Sequence, residues 1–192
     1  IIIMELIQKI KDLYRADSRK RTNRTQFDPE LVGSEAYGET GFDSIELLVS
    51  SYPELFNPET VFYDLGSGTG KIVYHIGLLH GAKKSCGIEY SQARHEMALW
   101  LRESIGLPES PKISFICGNI LEEDWSDATV VYCDNTLFPR HISQKIYQKI
   151  PTGCVVFSRA PLTRSLHEQV PCRLHSCITE YGTNSLYIIK KS

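Results

Sequence analysis

Five residues, Gly66-Ser67-Gly68-Thr69-Gly70, constrain this chain more than any others. They follow an apolar run, Val61-Phe62-Tyr63, that reads as a buried strand ending in Asp64. From Lys71 to His80 the apolar residues Ile72, Ile76 and Leu79 recur at helical spacing. A second short strand, Ser85 to Ile88, ends in Glu89, 25 positions after Asp64. That separation is the length of one strand–helix–strand crossover. Glycine permits both the tight turn and the close approach of a ligand. The amides that open the helix favour an anionic group. A carboxylate at the end of the second strand can accept both hydroxyls of a ribose. The unit predicts a nucleotide-type ligand over the carboxyl ends of parallel strands.

Two nucleotide motifs are excluded by single residues. A phosphate-binding loop of the NTPase type needs Gly where Leu65 stands and Ser or Thr where Ile72 stands. The dinucleotide fingerprint G-x-G-x-x-G needs a third Gly where Lys71 stands. What remains, D-x-G-x-G-x-G with a downstream acid, resembles the motif of class I S-adenosyl-L-methionine (AdoMet) methyltransferases. A turn that merely joined strand to helix would not need the second acid in register.

The rest of the chain repeats the alternation. Met4 to Ala16 is amphipathic, with Leu6, Ile10, Leu13 and Tyr14 on one side, and predicts a short helix. Phe42 to Tyr52 predicts another, with Ile45, Leu48 and Val49 inward. Ser91 is the expected N-cap of a helix to Ser104 that turns Ala93, Met97, Leu101 and Trp100 inward. Ile113 to Cys117, Ala128 to Cys133 and Cys154 to Ser158 read as further strands, with a helix from His141 to Ile150. The tail differs: Arg173 to Thr179 and Leu186 to Ile189 flank Tyr181-Gly182-Thr183-Asn184 without a helix, which predicts an antiparallel hairpin. The expected fold is α/β, a doubly wound Rossmann-like sheet of five parallel strands plus a C-terminal antiparallel hairpin, with helices on both faces. The strand ends Asp64, Glu89, Asn119 and Asp134-Asn135 all carry side chains able to grip a polar ligand.

The 192 residues suffice for one well-buried domain. No apolar stretch approaches the ~20 residues needed to cross a membrane. Ile1-Ile2-Ile3 soon meet Glu5 and Lys9, unlike a secretory signal, and Met4 is the expected natural start. Six Cys occur without a C-x-x-C pair, four of them in central strands, so a reduced, intracellular protein is expected. No metal is expected, because His167, Cys172, His175 and Cys177 match no zinc spacing. Residues 1–24 hold seven Lys/Arg against three acids, while the whole chain carries a net charge of −2. The basic arm, residues 9–24, is a candidate contact for DNA or an acidic protein surface.

A narrower resemblance rests on four motifs. These are Ala36-Tyr37-Gly38-Glu39-Thr40, Asp64-Leu65-Gly66-Ser67-Gly68-Thr69-Gly70, Gly87-Ile88-Glu89, and the segment from Ala128 to Asp134-Asn135-Thr136-Leu137-Phe138. Together they resemble the catalytic domain of the DOT-type (disruptor of telomeric silencing) histone-lysine methyltransferases, which lack a SET domain. The resemblance runs from about Tyr37 to the C-terminus and is loose in the tail. It implies an N-terminal helix and basic arm over residues 1–36 and an AdoMet-dependent methyltransferase domain over 37–192. It implies that Tyr37, Glu39 and Thr40 close over the methionine part of AdoMet. Asp64 and the amides after Gly66, through Gly68 and Gly70, would hold the amino and carboxylate ends. Glu89 would take the ribose, and Asn119 and Ile120 the adenine. Asp134, Asn135 and Tyr187 would stand nearest the methyl group and the lysine channel. A histone in a nucleosome is the implied partner, and the nucleus the implied location.

Three departures stand out. The family's Asn-Asn-Phe-Ala-Phe is Asp134-Asn135-Thr136-Leu137-Phe138 here, so an acid replaces the Asn nearest the methyl. Lys71 replaces a Gln beside the cofactor, and the N-terminal region is much shorter. A dry channel walled by Tyr132, Phe138, Phe157 and Tyr187 would lower the pKa of a lysine nucleophile. Two other readings stay open: a class I methyltransferase for a non-histone protein or small molecule, and a non-catalytic AdoMet-fold module. The intact set Tyr37, Asp64, Gly66, Gly68 and Glu89 speaks against the module, since a dead site has no physical need of it.

Overall fold

The computed structural model describes residues 2–16, 40–163, 170–171, 177–179, 182–184 and 186–192. Tyr37, Glu39, the basic residues from Arg19 to Arg24, and His167, Cys172 and His175 lie outside the described residues. Helices α1 (Ile2–Ala16) and α2 (Phe42–Ser51) precede the sheet, and a 3-10 turn over Pro53–Leu55 leads into it. Then come β1 (Val61–Leu65), α3 (Lys71–Leu79), β2 (Lys84–Glu89), α4 (Gln92–Ser104), β3 (Ile113–Cys117), β4 (Val130–Cys133), α5 (Arg140–Lys149) and β5 (Val155–Ser158). Four short strands follow: β6 (Val170–Pro171), β7 (Cys177–Thr179), β8 (Gly182–Asn184) and β9 (Tyr187–Lys190).

The main sheet runs β3-β2-β1-β4-β5-β9-β6. Strands β1 to β5 are mutually parallel, and β9 is antiparallel to both β5 and β6. The order reverses between β1 and β4, which opens a crevice at their carboxyl ends, where such sheets bind ligands. The fold class expected from the sequence is therefore present. The tail is arranged differently in detail. Cys177–Thr179 pairs with Gly182–Asn184 as a separate two-stranded sheet, and it is Val170–Pro171 that lies beside β9. The segment read as the hairpin turn is itself a strand, because its pairing partner is local.

Strand alternation sorts the core into two faces. Phe62, Val130, Tyr132, Val155 and Phe157 pack with Ile45, Leu48 and Val49 of α2 and with Ile72 and Ile76 of α3. Tyr63, Leu65, Ile88, Val131, Cys133 and Val156 face Ile142 and Ile146 of α5, with Trp125 fully buried among them. Every residue of β4 and β5 is buried, as strands covered on both faces must be. Phe157 belongs to this core rather than to a channel wall: its ring lies against Tyr52 and Phe56 at centroid distances of 5.4 and 6.3 Å. Trp100, expected inward, is 43% exposed, while Ala98 and Leu101 are the buried residues of α4.

Helix α3 is buried over Ile72, Val73, Tyr74, His75, Ile76 and Gly77, far more than its apolar stripe suggests. The reason is a second layer: Ile7, Ile10 and Tyr14 of α1 pack on Val73 and Tyr74, together with Leu101 and Ile105. Gly77 permits the close approach of α3 to the sheet, since a Cβ there would meet Ile113 Cγ1 at 2.5 Å. Alanine is the better helix former by about 1 kcal/mol, but overpacking a tight core costs about 1–3 kcal/mol. Gly77→Ala is therefore expected to lower the urea midpoint of unfolding. An unchanged or higher midpoint would show that Ile113 can move aside.

Candidate cofactor and active site

The glycine turn is built from three residues in the left-handed region, with φ of 85° at Gly66, 55° at Gly68 and 85° at Gly70. Only glycine takes these angles without strain. The turn is fastened to β2. The Gly66 and Ser67 amides donate to the Ile88 carbonyl at 2.8 and 3.1 Å, and the Gly70 amide donates to Ser67 O at 2.9 Å. The Gly68 amide donates to Glu89 Oε2 at 2.8 Å. Glu89 Oε1 accepts from the Ser91 amide at 2.9 Å and from Arg94 Nη1 at 3.4 Å. Ser91 stands at the N-cap position of α4, but its side chain makes no capping bond. Gly87 lets the turn lie on the strand, because a Cβ there would meet Ser67 Oγ at 2.5 Å. Ser67 Oγ is buried and has no hydrogen-bond partner among the described residues.

Asp64 sits in register with Gly87 of β2 and Tyr132 of β4. Strand alternation puts Asp64, Glu89 and Tyr132 on one face of the sheet. Asp64 is 3% exposed. Burial pushes its carboxyl well above the usual carboxylate range, and the nearby charges of Glu89 and Asp134 push it further. Three acids from three adjacent strand ends thus share the carboxyl rim, two of them near enough to act on Asp64 electrostatically. Such a set is unfavourable by itself and favourable around a cation.

The other expected residues take distinct places. Thr40 is buried just before α2, and its hydroxyl is 2.8 Å from that of Tyr132. Asn119 folds the turn after β3: its Oδ1 accepts the Leu121 amide at 3.0 Å and its Nδ2 donates to Glu122 at 3.2 Å. Ile120 is 8% exposed and packs in the core, its carbonyl accepting the Trp125 indole N–H at 2.9 Å. Lys71 turns toward the N-terminal helices, with Nζ 4.9 Å from the Tyr14 ring centroid and 5.5 Å from that of Phe42. Asn135 is 1% exposed and clasps the ends of β4 and β5: its Nδ2 donates to Ala160 O at 3.0 Å and its Oδ1 accepts the Ala160 amide at 2.8 Å. Asn135 therefore positions the rim, and its amide faces inward. Asp134 is half-buried at the opening, with Oδ1 taking the Thr136 hydroxyl at 2.7 Å. Phe138 leans over Gly66, close enough that a Cβ there would meet its ring at 3.5 Å. Tyr187 is half-buried on β9, opposite Ser158.

Two residues escaped the sequence reading. The Tyr14 hydroxyl donates to the Thr69 carbonyl at 2.7 Å and lies 3.1 Å from the Thr69 hydroxyl, so α1 is pinned to the glycine turn. The signal was faint: a tyrosine on an apolar stripe carries a polar tip that needs a partner when buried. Arg159, the first residue after β5, is 8% exposed, and its Nε and Nη1 have no hydrogen-bond partner among the described residues. A buried guanidinium thus follows the carboxyl end of β5.

The chain itself matches a known family. The family described as "Histone methylation protein DOT1" matches residues 30–190. The carboxy-S-adenosyl-L-methionine synthase of Wolinella succinogenes is 31% identical over 140 residues, 67% of this chain and 57% of that protein. The H3 lysine-79 specific histone-lysine N-methyltransferase of Caenorhabditis elegans is 32% identical over 125 residues, 59% of this chain and 13% of that protein. The chain thus spans little more than half of the first relative and a small part of the second. Among solved structures, an RNA methyltransferase from Salinibacter ruber in complex with S-adenosyl-L-homocysteine superposes with a TM-score of 0.60 at 24% identity, covering 80% of this chain and 95% of that one. That likeness concerns the fold. Taken with the glycine turn and its acids, the match over residues 30–190 places the chain in the DOT1 family of histone methylation proteins, on a class I methyltransferase fold.

Proposed function

We propose that this chain is an AdoMet-dependent protein-lysine N-methyltransferase of the DOT type, acting on a core-histone lysine in nucleosomes. The observation that carries the cofactor reading is the group of three neighbouring acids, Asp64, Glu89 and Asp134, beside a glycine turn whose buried Ser67 hydroxyl has no partner among the described residues. That donor set fits a ligand bearing both positive charge and hydroxyl groups. AdoMet supplies a methyl group activated for displacement by a positively charged sulfur. Asp64 would hold the ammonium end, and Glu89 the ribose hydroxyls through the acceptor capacity left beside its backbone amides. Thr40, with Tyr37 and Glu39, would close over the methionine part, and Asn119 and Ile120 would meet the adenine.

The chain's remaining task is alignment, which contributes roughly 7–11 kcal/mol in well-oriented reactions. Tyr132, Phe138 and Tyr187 would wall the lysine approach and favour the neutral amine by desolvation. Asp134 would hydrogen-bond the incoming amine through the oxygen not committed to Thr136. Family membership and the lysine specificity of the Caenorhabditis elegans relative support lysine as the acceptor. Residues 9–24 would then meet DNA or an acidic histone surface, which makes binding salt-dependent, and the protein would work in the nucleus. Asp134, an acid where the family has Asn, favours a second reading, a non-histone protein or small-molecule acceptor.

Incubation with methyl-labelled AdoMet and nucleosomes, free histones or cell lysate tests both. Label on nucleosomal histone is expected. Label confined to other lysate components would support the second reading, and no label anywhere would sink both.

Asp64 gives a pH prediction. The unfolded chain releases this proton near the ordinary value of 3.8, whereas the folded chain holds it to higher pH. Stability of the ligand-free protein should therefore fall as pH rises from 3.8 through the raised folded pKa. Asp64→Asn should remove that slope and raise the melting temperature at neutral pH. By the same change it should weaken AdoMet binding tenfold or more, a loss of about 1.4 kcal/mol, by calorimetry.

Tyr14→Phe removes one buried hydrogen bond, worth about 1 kcal/mol, from the back of the turn. A roughly fivefold loss of AdoMet affinity is expected if the turn needs that brace. Unchanged affinity with lowered stability would assign Tyr14 to packing alone.

A further inference from the structure

The acids of the crevice do not account for a second convergence of metal-ligating groups on the outer face of α3. Glu46 of α2, His75 of α3 and His80, the residue that ends α3, offer three donor atoms within 4.8 Å of one another. His75 is 1% exposed, and its Nε2 points at Glu46 Oε1. His80 Nε2 lies 3.6 Å from that same oxygen, buried and without a hydrogen-bond partner among the described residues. The two rings are 5.4 Å apart and tilted by 37°, so neither blocks the other from a shared point. His80 comes five residues after His75, too far round a regular helix to share its face. It reaches the site because α3 has ended: His80 has φ −105° and ψ 11°, outside helical values.

A hydrogen-bonded trio explains this poorly. One carboxylate oxygen serves His75, while the imidazole of His80 is turned toward the same carboxylate without bonding to it. We propose that Glu46, His75 and His80 form a zinc site that ties α2 to α3. Two imidazoles and a carboxylate are an ordinary zinc donor set, and three protein ligands leave a fourth position for water. Zinc bonds of 2.0–2.2 Å put tetrahedral donors about 3.3 Å apart, close to the separation between His80 and Glu46. The closer His75–Glu46 pair opens by a side-chain rotation of Glu46, which is 47% exposed and sits on a surface helix. Lys11 of α1 is near enough to act on His75 electrostatically, and its charge opposes a dication. The site uses none of the three crevice acids, and it stands whether or not the crevice binds AdoMet.

The test is zinc binding by tag-free protein, measured by competition with a chromophoric chelator and by metal content after gel filtration. Wild type should bind one equivalent more than His80→Ala and one more than Glu46→Gln. Zinc should raise the melting temperature of wild type and not of these variants. Lys11→Gln should tighten binding. His80 is at a helix end and Glu46 on the surface, so both variants should fold, as far-UV circular dichroism checks. Equal zinc content in wild type and both folded variants would overturn the site. So would binding that raises no melting temperature in wild type, since a metal bridging α2 and α3 must stabilise the pair.

Discussion

The carboxylate of Glu89 ties together what the rest of the site depends on. One oxygen takes the amide of Gly68 in the turn after β1, and the other takes the amide of Ser91 at the start of α4. These are orphan donors of the kind every helix approach leaves behind. A buried carboxylate satisfies them both and is itself made tolerable by them. The turn is consequently set in place by β2 and not by a ligand. Gly66 and Ser67 add to this by donating to Ile88 of the same strand. A rigid turn of this kind can hold a nucleoside without first having to be ordered, which is the physical content of preorganisation.

Around that fastening the molecule accepts an unfavourable charge distribution. Asp64 is buried beside Glu89 and Asp134, and its carboxyl is pushed up accordingly. Strain of this kind persists where surrounding packing over-determines it, and it concentrates at functional sites. The packing here is visible: Phe62, Tyr63 and Leu65, the neighbours of Asp64 on β1, are all buried. On the other side Tyr14 pins α1 to Thr69, so the turn is supported from below by the sheet and from behind by a helix. That helix lies before residue 30, where the match to the DOT1 family begins. The brace is thus supplied by a part of the chain that the family pattern does not describe.

Much of this could be read from residue order. Val61 to Glu89 showed strand, turn, helix and strand, because glycines at fixed spacing and apolar periodicity report backbone geometry directly. Asp64, Glu89 and Asp134 were recognisable as strand-end acids for the same reason. Other assignments failed where burial depends on partners distant in sequence. Phe157 read as a channel wall, yet Tyr52 and Phe56 cover it. Trp100 read as inward, yet α4 turns Ala98 and Leu101 to the core. Asn135 was expected beside the methyl group; its amide also holds Ala160 in the loop after β5, a pairing that residue order does not reveal.

What the sequence determined alone was local: the turn, the alternation of strands with helices, and the acids at the ends of β1, β2 and β4. These follow from steric limits on φ and from the two periodicities of burial, which act within a few residues. Tertiary structure decided the rest. It set Gly68 against Glu89, Tyr14 against Thr69, and His80 against Glu46. Each of these joins side chains or amides from separate elements, and their meeting depends on how helices and strands pack, a property that no stretch of sequence holds by itself.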